Sequence, residues 1–117
     1  MIELYGIPNC DTVKKAQVFL KEHNLPYTFH NYKTEGIGKT KVKQWFKKWG
    51  WETVLNKKST TWKNIDEEAR IAIDSERKAI DFLVENTSAI KRPVLEKDGV
   101  MMIGFSVKEY EELLPVD

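Results

Sequence analysis

The sequence predicts an α/β domain on a mixed sheet, with a helical insertion between its two β-containing halves. Three observations carry this. Residues 1–32 read as strand, helix, strand. Residues 39–88 repeat apolar side chains at helical spacing. Residues 94–114 read as strand, tight turn, strand, helix. A chain of 117 residues suffices for one domain, 1–117, and buries roughly two thirds of its unfolded surface.

Met1 to Tyr5 is a short β-type run, closed by Gly6, Pro8 and Asn9. A helix opens near Asp11 or Thr12, with Val13, Ala16, Phe19 and Leu20 on one face. Asn24 suits its left-handed end and Pro26 prevents continuation. Residues 27–32 alternate aromatic and polar side chains, as a strand does, and a strand–helix–strand unit makes its two strands parallel.

Residues 33–41 are polar, contain Gly36 and Gly38, and read as a loop. Val42, Trp45, Phe46 and Trp49 recur at i, i+3, i+4 and i+7, which predicts an amphipathic helix with its tryptophans in the core. Gly50 ends it, and Trp51 to Leu55 add a turn. Asn64-Ile65-Asp66-Glu67 reads as a capping box before Ile65, Ala69, Ala72 and Ile73 on one face. Ala79, Ile80, Leu83 and Val84 define a further helix. Asp98-Gly99 between two apolar runs predicts a hairpin. Ser106 to Glu109 is a second capping box, opening a helix through Leu114 that Pro115 stops.

Composition narrows the function classes. No apolar run reaches the length of a membrane span, and no secretory signal is visible, so a cytoplasmic location is expected. The single cysteine, Cys10, excludes an intramolecular disulfide and a cysteine-rich zinc site. His23 and His30 have no ligand spacing, so no metal is expected. Net charge is +1, but residues 33–63 carry nine lysines against two glutamates and hold all four tryptophans. Such a segment suits either a solvated basic helix face or nucleic acid, and the solvated face is the expectation. Gly38-Lys39-Thr40 lacks the glycine five residues upstream that a phosphate-binding loop requires.

Cys10 is the candidate nucleophile. It follows a strand and a proline-containing turn and directly precedes a helix. Unpaired amides and the positive end of the helix dipole stabilise a thiolate there. Lys14 and Lys15 follow one turn on; Asp11 opposes the effect if it faces the sulfur. The competing reading is a buried cysteine used as a small hydrophobe. Position 13 is valine, so there is no C-x-x-C, and a reacted Cys10 needs a thiol from outside the chain. Arg92-Pro93 reads either as a plain strand start or as a cis-proline near Cys10, with Arg92 as an anion-binding cation.

The run Leu4-Tyr5-Gly6-Ile7-Pro8-Asn9-Cys10-Asp11-Thr12-Val13-Lys14-Lys15-Ala16 resembles the active-site segment of the arsenate reductase-like family (ArsC/Spx/YffB). Val54 to Trp62, Ile90 to Val94 and Ile103 to Ser106 resemble that family's later motifs, in order, and the likeness is strongest to its short YffB-like branch. The resemblance implies a thioredoxin-like core. It implies Cys10 as nucleophile, Arg92 facing it and Pro93 as the cis-proline. It puts Asn9, Asp11, Thr12 and Lys14 in the loop around the thiol. Asn56 and Gly104 stand where arsenate reductases of this type carry further arginines, with Lys57 and Lys58 beside Asn56 as anion contacts.

The expected activity is a thiol-based reductase acting on an oxyanion or disulfide. It binds no cofactor and takes glutathione or another small thiol as co-substrate. The alternative is a non-enzymatic Spx-like regulator that binds RNA polymerase or another protein.

Overall fold

The computed structural model describes residues 1–116 and divides them into two compact units. The first unit comprises residues 1–35 together with the described residues from 92 onward; the second comprises residues 36–91.

The first unit is a four-stranded sheet in the order β2-β1-β3-β4. Strand β1 (Ile2–Gly6) runs parallel to β2 (Tyr27–Asn31), with Leu4 opposite Phe29. On its other side it pairs antiparallel with β3 (Val94–Lys97), with Leu4 opposite Leu95. Strand β4 (Val100–Ile103) returns antiparallel to β3. Asp98 and Gly99 both have positive φ, 47° and 83°, the geometry that makes Asp-Gly a two-residue hairpin turn.

Helix α1 (Asp11–Glu22) links the parallel strands and buries Val13, Ala16, Phe19 and Leu20. It ends through Asn24 at φ 55°. Helix α8 (Val107–Leu113) opens where the Ser106 hydroxyl accepts the Glu109 amide and buries Tyr110. The core joins Ile2, Leu4, Ala16, Phe19, Leu20, Leu95, Met102, Tyr110 and Leu114. This β-α-β, β-β-α arrangement on a mixed sheet is the thioredoxin-like α/β fold.

One departure lies at the end of this unit. Tyr32–Glu35 forms a single helical turn, α2, where a loop was expected. The Glu35 carboxylate accepts the Asn31 amide, and Asn31 Oδ1 accepts the Lys33 amide. Those side chains supply what a polar sequence without apolar periodicity conceals.

The second unit is helical. Helix α3 (Lys39–Trp49) buries Val42, Trp45 and Phe46 and packs on α7 (Glu76–Glu85) and α4 (Trp51–Val54). Trp45 and Trp62 are buried, but Trp49 and Trp51 are only half-buried, so the expected tryptophan core is half realised. Helix α5 (Thr60–Asn64), capped by Ser59, was not anticipated. It ends where the capping box was expected to begin. The cap that forms is Asp66, whose carboxylate accepts the Ala69 amide and opens α6 (Glu67–Ala72). Helix α6 buries none of its residues; Ala69, Ala72 and Ile71 are exposed. Its apolar spacing is too short to form a stripe. A 3₁₀ turn, Thr87–Ala89, completes the unit. Among the described residues no helix is long and apolar enough to cross a membrane.

Candidate active site

The residues between β1 and α1 set the sulfur's place. Gly6 ends β1 against α1 so closely that a Cβ there would lie 2.7 Å from Val13 Cγ2. Pro8 and Asn9 then turn the chain, and the Cys10 amide donates to the Ile7 carbonyl at 3.3 Å. Cys10 is the N-cap of α1, with extended backbone, and its carbonyl accepts the Lys14 amide at 2.9 Å.

By geometry the Cys10 side chain makes no capping hydrogen bond. The thiolate finds a different environment. Partial burial pushes the Cys10 thiol up, but three groups together outweigh it. These are the Val13 amide, the Arg92 guanidinium, which both hydrogen-bonds the sulfur and attracts its charge, and the Thr12 amide. The net result holds Cys10 below the ordinary thiol range. Cys10 is only half-buried, so a thiol held below its ordinary range stays open to reactants.

Arg92 reaches the sulfur from the other half of the unit. It stands two residues before β3, and the Arg92–Pro93 peptide bond is cis. The Pro93 carbonyl accepts the Gly104 amide at 2.8 Å. Gly104 has φ 78°, a conformation that favours glycine over any longer side chain.

Tyr32, the first residue of α2, completes the cluster and was not singled out from sequence. Its side chain is 1% exposed. Burial drives its hydroxyl far above the ordinary tyrosine range, against the pull of the Arg92 guanidinium to which it is hydrogen-bonded; a negative Cys10 pushes it further up. The hydroxyl is therefore neutral at physiological pH. The available signal was a slip in the strand pattern: Tyr27 and Phe29 alternate, and the next aromatic falls at 32 rather than 31.

Of the other candidates, Thr12 contributes its amide, while Asn9, Asp11 and Lys14 are exposed around the turn and first helical turn. Asn56, Lys57 and Lys58 lie in the second unit. There the Asn56 amide donates to the Ala89 carbonyl at 2.8 Å, and its Oδ1 accepts the Lys58 amide. Lys57 and Lys58 are exposed. Among the described residues, no three His, Cys, Asp or Glu side chains are grouped to hold a metal ion.

Fold and site together define a thioredoxin-like protein whose one cysteine caps a helix opposite an arginine. A family model described as the ArsC family matches residues 5–113, and the chain belongs to that family. It is similar to a solved YFFB protein at 43% identity, TM-score 0.92, covering 97% of this chain and 99% of that one. It is similar to a solved arsenate reductase (ArsC) related protein from Brucella melitensis at 39% identity, TM-score 0.74, covering 98% and 95%. The global transcriptional regulator Spx of Staphylococcus epidermidis is 26% identical over 119 residues, covering 98% of this chain and 88% of that protein.

Proposed function

We propose that the protein is a thiol oxidoreductase that uses Cys10 as its nucleophile and an external small thiol, such as glutathione, as its reductant. The observation that supports this most directly is the sulfur at the N-cap of α1, hydrogen-bonded by Arg92. On a disulfide, the Cys10 thiolate bonds to one sulfur and the other half leaves as a thiolate. A thiol then attacks the mixed disulfide and expels Cys10. On an oxyanion such as arsenate, Cys10 bonds to arsenic(V) and one oxygen leaves as water. A first thiol attacks the Cys10 sulfur, and the sulfur–arsenic electron pair departs with arsenic as arsenite. A second thiol frees Cys10, so two thiols become one disulfide while the oxyanion gains two electrons.

Arg92 offsets negative charge on both the sulfur and an incoming anion. Asn56 and Gly104 replace the further arginines of arsenate reductases, and a lysine beside Asn56 cannot supply a guanidinium fork. Disulfide exchange is therefore the favoured step.

The test is intact mass after incubation with oxidised glutathione and, separately, with arsenate plus reduced glutathione. A glutathione adduct on Cys10, absent from Cys10→Ser, is the expected result; no adduct under either condition rejects the reading. A second reading, a regulator that binds another protein, is supported by the similarity to Spx along nearly the whole chain. Capture of RNA polymerase by the full chain, with and without Cys10, separates the two.

A further inference from the structure

Helix α1 carries a surface that the reaction with a small thiol leaves unused. A groove of about 410 Å³ is lined by Lys14, Lys15, Val18, Glu22, Phe105 and Val107. Lys14, Val18 and Glu22 step along α1 four residues apart, and Lys14 lies one turn along the helix from Cys10 at its N-cap, so the groove begins within a turn of the cysteine. Val18 is 51% exposed and Val107 50%. Phe105, half-buried, packs against Phe19 and Tyr110 beneath them, which makes the floor rigid and apolar.

The charges are ordered. Lys14 and Lys15 lie at the end nearer Cys10, and Glu22 lies at the far end. From Cys10 to Val18 the helix rises about 12 Å, the reach of roughly four extended residues. A glutathione-sized molecule offers carboxylates to the lysines but nothing apolar to Val18, Phe105 and Val107. A polypeptide offers both.

We propose that this groove docks a short extended segment of a protein partner, with acidic residues beside its reacting cysteine and apolar residues beyond them. The proposal rests on the reading of Cys10 as a disulfide-exchanging nucleophile and names the class of its substrate. The partner enters as a disulfide. The Cys10 sulfur bonds to the partner's cysteine, the other half leaves as a thiolate, and a small thiol later restores Cys10.

The probes are five-residue peptides, each a mixed disulfide with thionitrobenzoate, whose release is followed by absorbance. One peptide carries cysteine, two glutamates and two leucines, made in both chain directions. The control carries lysines for the glutamates and serines for the leucines. The full chain is expected to react with the acidic–apolar peptide, in one direction, roughly tenfold faster than with the control. Val18→Glu combined with Val107→Glu, both at exposed positions, is expected to abolish that preference while leaving alkylation by iodoacetamide unchanged. Equal rates for the peptides, or a preference that survives the double substitution, overturns the proposal.

If Cys10 exchanges with no disulfide, oxidised glutathione included, the reading of Cys10 fails, and the groove is decided separately. Cys10→Ser is then titrated with the reduced acidic–apolar peptide. Shifted amide resonances at Val18, Phe105 and Val107 support docking, and unshifted ones overturn it.

Discussion

The sulfur of Cys10 is stabilised by groups of two kinds, backbone amides and one side-chain guanidinium, and they respond differently to substitution. The Val13 and Thr12 amides belong to the helix and persist in any variant that folds. Arg92→Ala removes only the guanidinium, so the thiol is expected to titrate higher while staying helped by the amides. Alkylation at pH 7 is expected to slow by about three- to tenfold, since solvent screens a half-exposed sulfur. Tyr32→Phe leaves the charge and removes a hydroxyl bonded to it. It acts by positioning, and is expected to move the alkylation pH profile in the same direction by less, with rescue by no added salt.

The same sulfur makes stability depend on pH. Its folded value lies below its unfolded value, so its contribution is present above the ordinary thiol value of 9.0 and is lost as acid protonates the native thiolate. The stability of wild type relative to Cys10→Ser is therefore expected to rise from pH 6 to pH 9.5, measured by urea unfolding. A flat difference would contradict a native thiolate. Cys10 stood out in sequence because a helix start is a local signal, whereas Arg92-Pro93 had two local readings and was set opposite Cys10 only by the family resemblance. Tyr32 did not stand out, because its role depends on a partner sixty residues away.

Among the elements, those with complete local instructions follow the sequence closely. Asp98-Gly99 forces a tight turn, Ser106 caps α8, and the apolar face of α1 is long enough to define a helix. Short elements were harder. Helices α2, α5 and α6 span four to six residues, fewer than two turns, and are fixed by side-chain caps and packing rather than by periodicity. The contact of β1 with α1 carries a prediction of its own. In Gly6→Ala the new Cβ meets Val13 Cγ2, on a stiff β-branched side chain, at 2.7 Å. Val13 must shift, and with it the amide that faces Cys10. The substitution is expected to cost about 1–3 kcal/mol and to slow alkylation. Unchanged alkylation with lowered stability would separate the packing from the site.

At the scale of the molecule, the first unit is discontinuous in sequence. Residues 1–35 supply β1, α1, β2, Cys10 and Tyr32, and residues from 92 onward supply Arg92, β3, β4 and α8. The later stretch also provides Leu95, Met102, Tyr110 and Leu114, four of the nine buried residues of that core. A chain truncated after Lys91 is expected to alkylate with the pH profile of an ordinary thiol, because neither Arg92 nor the β3–β4 half of the sheet remains. A retained low-pH profile would show that the helix end suffices alone. The switch to helical periodicity marked an insertion within one domain, and the strand–helix–strand pattern made β1 and β2 parallel, but the pairing of β1 with β3 is a long-range fact that no local pattern states.

That discontinuity governs timing during synthesis. The cation that faces Cys10 is translated some eighty codons after it. Until then the nascent chain lacks one of the groups that hold the thiol below its ordinary range.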